Sequence, residues 1–463
     1  MKIYDLSPAQ GVIMFVLMLS KGKSHIMNIP TSILIDDEMD FDILKEAIAL
    51  EVERNDALRI RFIKEGKEAK QYFKEKEEDV QVGFLDFSGQ TAEAQERALK
   101  ELAGKGFKQF KEPLYRFYMI KGSDGTCGVF SNIHHLIMDS FAIMNMYKDI
   151  FEVYYALKNN TEMPKPLGSY EEILQKELEY PGSEREAQDE AFYREKFSGS
   201  EPIYTNIIGP ERLDKFRKKH PGARHVLPSL AEYIFFTKAA HTVMEIGSED
   251  EEKYFDFCRE YNIPFQCLFT MGMRTYLSYK NRREKDISII GTVARRATLK
   301  EKRSGGTRIH FYPGRTIMPE ETTFMEGLEM IKENQNEYFR HIDYPSPKHL
   351  ALIAEVNNLK SAEYHAAQIT YQPVVMSVGD NLNIKTKWYS NGDCLHRLYV
   401  TIMHNMSKGG GMDVYYEHLI RYTKPEDIRR CHEGIVKIMN MGIANPDMTV
   451  GELLDRCEEE GIS

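Results

Sequence analysis

Zinc-type ligand spacing is missing from this chain of 463 residues: its six cysteines form no CxxC pair, and no HExxH string occurs. Metal sites of the common structural and hydrolytic kinds need such pairs, so no metal is expected. Cys127, Cys258, Cys267, Cys394, Cys431 and Cys457 are also too scattered for a disulfide framework. They read as buried small hydrophobes in a reducing cytoplasm. An excess of positive charge is missing as well. The net charge of −10 excludes a broad nucleic-acid-binding surface. One basic stretch remains, Lys215, Arg217, Lys218, Lys219, His220, Arg224 and His225. It reads as a solvated loop or as a docking patch for an acidic partner. No apolar run approaches the roughly twenty residues that span a bilayer. The run Gly11 to Leu19 has Asp5 where a signal peptide needs a basic start. It reads as a buried helix with Ser7 as N-cap and Pro8 at its first position. A cytoplasmic monomer without membrane or nucleic-acid contact is the expectation.

Charged residues at 29% and hydrophobic residues at 42% suit a globular α/β protein. The pattern predicts a strand over 28–36, a helix over 41–53 capped by Asp40, strands near 58–63 and 70–74, and a helix over 93–107. A hairpin follows, Tyr115 to Ile120 and Gly128 to Ile133, joined through Gly122-Ser123-Asp124-Gly125. After a polar, proline-bearing stretch from Asn159, a charged helix over 183–196 opens the second half. Strands are expected over 232–238 and 286–292, and helices over 250–261, 264–281 and 323–341. Near the end, Leu398 to Asn405 and Met412 to Tyr416 flank Lys408-Gly409-Gly410-Gly411, a hairpin signal. A helix opening at Thr423-Lys424-Pro425-Glu426 closes the chain. This implies two α/β lobes, residues 1–170 and 171–463, the second with a linker helix, crossover segments and a closing helix.

The chemistry-bearing string is Ser131-Asn132-Ile133-His134-His135-Leu136-Ile137-Met138-Asp139-Ser140. An apolar strand precedes it, and Phe141, Met144, Tyr147, Ile150, Phe151 and Tyr154 follow at helical spacing. The histidine pair therefore stands where a strand ends and a helix begins, with Ser140 a candidate N-cap. Adjacent strand residues face opposite ways, so one imidazole can reach a cleft while the other turns inward. A nearby carboxylate can fix a tautomer or tie the loop to another segment.

These residues, with others in order along the chain, resemble the condensation domains of nonribosomal peptide synthetases. The family motif HHxxxDG reads here as His134 to Ser140, and its opening string as Leu6-Ser7-Pro8-Ala9-Gln10. RHExLRTxF reads as Arg54 to Phe62, YxDF as Tyr147-Lys148-Asp149-Ile150-Phe151, and HxDxP as His341-Ile342-Asp343-Tyr344-Pro345. The resemblance implies two chloramphenicol-acetyltransferase-like lobes forming a V, with a tunnel between them. It implies a free-standing enzyme joining a carrier-bound acyl thioester to an amine acceptor. Phosphopantetheine would arrive on carrier proteins acting in trans, and the chain itself would bind no cofactor. His135 is then the catalytic histidine, with His134 and Asp139 in support. Asp139 would pair with an arginine of the second lobe, Arg296 first and Arg295 second, from the string Gly291 to Arg296 that resembles GTPVAGR. The start of the helix after Asp139 would present N–H groups to a developing oxyanion.

Two departures carry weight. Ser140 stands where the family has glycine, and Pro313 stands at the asparagine of a GxFVNT-like segment, Arg308 to Gly314. His310 and Tyr312 in that segment are candidate tunnel contacts. His341 and Asp343 end a helix before Pro345 and read as a structural corner. The alternative functions are a related O-acyltransferase, with an alcohol acceptor or an acyl-CoA donor, and a catalytically silent carrier-docking module.

Overall fold

The computed structural model describes residues 2–227, 230–376, 382–407 and 409–462. The first half supplies β1 (Asn28–Ile35), β2 (Ile60–Glu65), β3 (Glu68–Phe73), β4 (Val82–Asp86), β5 (Tyr115–Lys121) and β6 (Cys127–His134). The second supplies β7 (Ala239–Ile246), β8 (Asp286–Ala294), β9 (Ile309–Ile317), β10 (Ala367–Gln372), β11 (Ile384–Trp388), β12 (Leu398–His404) and β13 (Met412–Leu419). Two mixed sheets result, in the orders β11-β1-β6-β5-β4 and β7-β13-β12-β10-β8-β9, with β2 and β3 as a separate hairpin. Each half builds one lobe, with a single exchange: β11 returns to pair antiparallel with β1, Thr31 opposite Trp388.

The two sheets bury their faces differently. β6 is buried at every position. Val129 and Ile133 pack toward helices Phe41–Arg54 and Ser140–Asn159, while Phe130 packs with Leu99, Ala103 and Tyr389 on the other face. A strand covered on both sides need not alternate, and the adjacent apolar residues Val129 and Phe130 face opposite layers. The second sheet alternates. Ile369, Val400, Ile402, Val414 and Tyr416 join a core with helices Phe265–Lys280 and Pro425–Ala444. Their neighbours Gln368, Thr370, Tyr399, Thr401, Tyr415 and Glu417 line a cavity.

Several expectations need correction. Residues 232–238 are not a strand; Leu230–Phe235 is helical, and the strand begins at Ala239, where pairing with Leu419 of β13 starts. The apolar run Tyr233 to Phe236 is β-prone, but pairing decides. The helix expected to 107 stops at Ala103, with Gly104 as C-cap. Helix Pro8–Leu19 has the expected Ser7 cap, yet it buries only one face and leaves Phe15 and Met18 exposed. A further helix, Val450–Glu459, follows Pro425–Ala444. β12 and β13 pair as the glycine run predicts, though Lys408 of that turn lies outside the described residues.

Candidate active site

β6 ends at His134, and the chain turns before helix Ser140–Asn159. Asp139, not Ser140, is the N-cap, because its carboxylate accepts the Ala142 N–H at 2.8 Å. An aspartate outcompetes the serine beside it because its charge also suits the positive helix end.

The two histidines have different surroundings. His134 is fully buried, its Nδ1 accepts the Leu136 N–H at 3.1 Å, and the Phe107 ring meets it edge-on. Burial and the neighbouring His135 push its pKa down to about 3, so the ring is neutral. His135 lines the cavity between the lobes. Its backbone N–H donates to the Met27 carbonyl at 2.7 Å, and Thr307 Oγ1 lies 3.4 Å from its Nδ1. Burial pushes the His135 pKa below its ordinary value, partly opposed by Asp139 and by the backbone carbonyls of His135 and Met138.

Asp139 is the junction of the two lobes here. Both its oxygens accept from Arg296 at 3.0 Å, and Oδ2 also accepts the Arg308 N–H at 2.8 Å. The two side chains are 1% and 0% exposed. Arg296 further donates to the carbonyls of Glu301 at 2.8 Å and Gly306 at 3.0 Å. Arg295 turns away and pairs with Asp343 at 2.6 Å. His341 binds Asp189 instead, at 2.7 Å, so His341 and Asp343 each take a partner elsewhere. Other sequence strings also meet in space. Arg54 grips Asp149 with two hydrogen bonds, at 2.9 and 3.0 Å. Gln10 Nε2 donates to the Leu136 carbonyl within the His loop, at 3.1 Å.

The cavity has a volume of about 430 Å3, which is within the range of small-molecule sites. Helix Pro8–Leu19, β1, β11 and the His loop wall it on one side, and the second sheet walls it on the other. From β9, Ile309 and Phe311 line it; His310 and Tyr312 do not, contrary to expectation. Strand residues alternate faces, so all four cannot point the same way. His310 is buried with its pKa pushed to about 3 by burial, Arg295 and Arg308. Tyr312 donates to Gln335 at 3.2 Å and accepts from Gln266 at 3.3 Å, one layer behind the wall.

Ser140 lines the cavity and its hydroxyl bonds to Gln372 Nε2. It is absent from the residues with positive φ, so the backbone does not require glycine there. Pro313 sits opposite Ile290 in β9, an edge strand, where a missing N–H is tolerated. Thr307, Gln372 and Glu417 were missed in the sequence. Each is an ordinary polar residue on a strand or loop, and only the fold brings it to the site.

Among the described residues no helix is long and apolar enough to cross a membrane, and no group of three or more His, Cys, Asp or Glu side chains is arranged to hold a metal ion. All six cysteines are buried and unpaired.

A family model described as a condensation domain matches residues 1–460. The chain is 24% identical over 458 residues to one of the plipastatin synthase proteins of Bacillus subtilis (strain 168), covering 97% of this chain and 17% of that protein. It is 21% identical over 428 residues to a surfactin synthase protein of the same organism, covering 90% and 11%. The chain thus spans less than a fifth of the length of these curated relatives. The first condensation domain of the calcium-dependent antibiotic synthetase, solved with a substrate analogue, matches with a TM-score of 0.79 at 16% identity, over 97% of this chain and 98% of that one. A variant of the starter condensation domain of rhizomide synthetase, solved with C8-CoA, matches with a TM-score of 0.79 at 18% identity, over 97% of each chain. At such identities the two structures speak for the fold.

Proposed function

The chain belongs to the condensation-domain family, and from that premise we propose that it joins a carrier-bound acyl or aminoacyl thioester to an amine acceptor, with His135 at the reacting centre. The observation that carries this reading is a neutral imidazole on the wall of a cavity enclosed by both lobes, held in place by its own backbone and Thr307.

The chemistry is modest in its demands. The acceptor nitrogen attacks the thioester carbonyl, a C–N bond forms, and the C–S bond breaks. The proton leaving nitrogen passes to His135 Nε2 and from there to the departing thiolate, so the imidazole ends neutral. An imidazole kept unprotonated by burial is ready for that step. Holding the two reactants in one enclosed space adds rate through orientation alone. Helix Ser140–Asn159 starts at the cavity wall, and its positive end favours charge building on the carbonyl oxygen. His134 and Asp139 act on position: the first packs the loop, the second locks it to Arg296. Partner carrier proteins supply the phosphopantetheine arms.

Two features support an active site over a silent docking module. Ser140 occupies a backbone conformation open to any residue, and Pro313 leaves the β8–β9 pairing intact. Intact-mass detection of acyl transfer from an acylated carrier protein to panels of amines and alcohols tests the proposal. Amide formed by wild type, and reduced about a hundredfold or more in His135→Ala, is the expected result. Ester product in place of amide would convert the reading to an O-acyltransferase. Unchanged turnover by His135→Ala would remove that residue from the chemistry.

A further inference from the structure

Part of the cavity wall is the polar face of the second sheet. Across that face the register sets Gln368 beside Tyr399, Tyr399 opposite Glu417, and Glu417 opposite His241. All four side chains line the cavity. Glu417 is the sole carboxylate among the described lining residues, and they include no lysine or arginine. Its neighbours in the wall are His241, whose Nε2 lies 3.2 Å away, and His396, whose pKa burial holds below the ordinary histidine range. Cys394, also in this wall, has its thiol pushed up by burial and by Glu417, so it offers no second anion. Two buried donor-capable atoms there, His241 Nδ1 and Trp388 Nε1, have no partner among the described residues.

Such a wall suits polar contents. A site for a plain alkyl chain would show this face apolar, as the other face of the same sheet is. A carboxylate enclosed without a guanidinium or ammonium gains most from a cation brought in by the ligand. Its position also matters. Gln372, bonded to Ser140, lies four residues along β10 from Gln368, and Glu417 lies two strands further across, which places Glu417 about 16 Å from Gln372. Glu417 therefore sits apart from the Ser140–Gln372 contact at the helix start and faces a different part of a bound substrate.

We propose that Glu417, with His241 and Tyr399, forms a recognition subsite for a cationic group, an ammonium or a guanidinium, on the body of the acyl or aminoacyl substrate. The inference rests on the acyl-transfer reading for turnover but not for binding. Pantetheine thioesters and amine acceptors are prepared in matched pairs, one bearing an ornithine, lysine or arginine side chain and the other an uncharged isostere. Calorimetry with His135→Ala measures binding, and intact mass with wild type measures kcat/KM. The expected result is at least tenfold preference for the cationic member, falling to near parity in Glu417→Gln. Preference confined to donors or to acceptors identifies which substrate the subsite reads. Equal binding of both members by the His135→Ala protein, or preference undiminished in a folded Glu417→Gln, would overturn the subsite. Selective binding without any turnover would instead sink the acyl-transfer reading and leave the subsite standing. Should Glu417→Gln fail to fold, the matched pairs on the intact cavity still decide the question.

Discussion

Two buried aspartates hold the lobes together on different sides of the cavity, and they do so in unlike ways. Asp139 faces one guanidinium, Arg296, in a contact where neither side chain meets solvent. Asp393, itself 1% exposed, is shared by Lys23 at 3.0 Å, His25 at 3.1 Å and Lys238 at 2.8 Å, with Thr237 bonded to the same carboxylate. Lys23 and His25 come from the first half of the chain, and Lys238 is 67% exposed. The first arrangement concentrates a desolvated pair at one point. The second spreads one charge over partners that reach water. A concentrated pair is rigid and intolerant; a distributed one degrades by increments.

The largest expected effect follows from breaking the concentrated pair. Asp139→Ala leaves a buried guanidinium uncompensated and removes a helix cap, so a loss of about 3–5 kcal/mol is expected in urea unfolding. A variant with unchanged midpoint would deny the structural role. Arg296→Ala should approach the same loss, whereas Arg295→Ala, whose partner Asp343 is part-exposed, should cost about 1 kcal/mol or less.

Acid separates the two regions next. His134 is neutral in the fold with its pKa pushed to about 3, and His310 likewise, so the unfolded chain binds more protons below about 6.5. Stability should therefore fall as pH drops from about 6.5 toward 3, by about 1.4 kcal/mol per pH unit for each such group. Asp393 acts with the same sign in a lower pH window. Burial by itself would raise its carboxyl, but Lys238, Thr237, His25 and Lys23 together hold it well below the usual range. Its contribution is therefore present above about pH 4 and is lost below that. Melting curves of Asp393→Ala and wild type should run parallel between pH 6.5 and about 4.5 and converge only in stronger acid. Convergence already near pH 6 would mean that the Asp393 carboxyl is not held down by this contact.

Asp393→Ala itself should cost about 1–3 kcal/mol, less than Asp139→Ala, because its cations can turn to solvent. The smallest effect belongs to a single member of the distributed set: Lys238→Ala should shift stability by about 0.5 kcal/mol or less. A loss above about 2 kcal/mol there would erase the distinction between the two anchors.

Much of the fold was legible in the sequence. Periodicity located β1, β5, β6 and the helix after the His motif, because those segments bury continuous or regularly spaced apolar faces. The Ser7 and Asp40 caps were readable because capping is a local competition between a side chain and the nearest N–H groups. The helix at Leu230–Phe235 was misread because its apolar run matches a strand, and only the pairing of β7 with β13 decides where the strand begins. His310 and Tyr312 were placed on the wrong side because alternation says which residues share a face but not which face meets the cavity.

The sequence by itself determined the α/β character, the family, and the identity of the His135 loop, since each depends on local spacing and on strings of adjacent residues. The tertiary structure alone decided that Arg296 rather than Arg295 meets Asp139, that β11 crosses to the first sheet, and that Glu417 ends in a cavity whose described lining holds no lysine or arginine. Those are relations between residues far apart along the chain, fixed by strand register and by the cost of burying charge, and neither is written in local pattern.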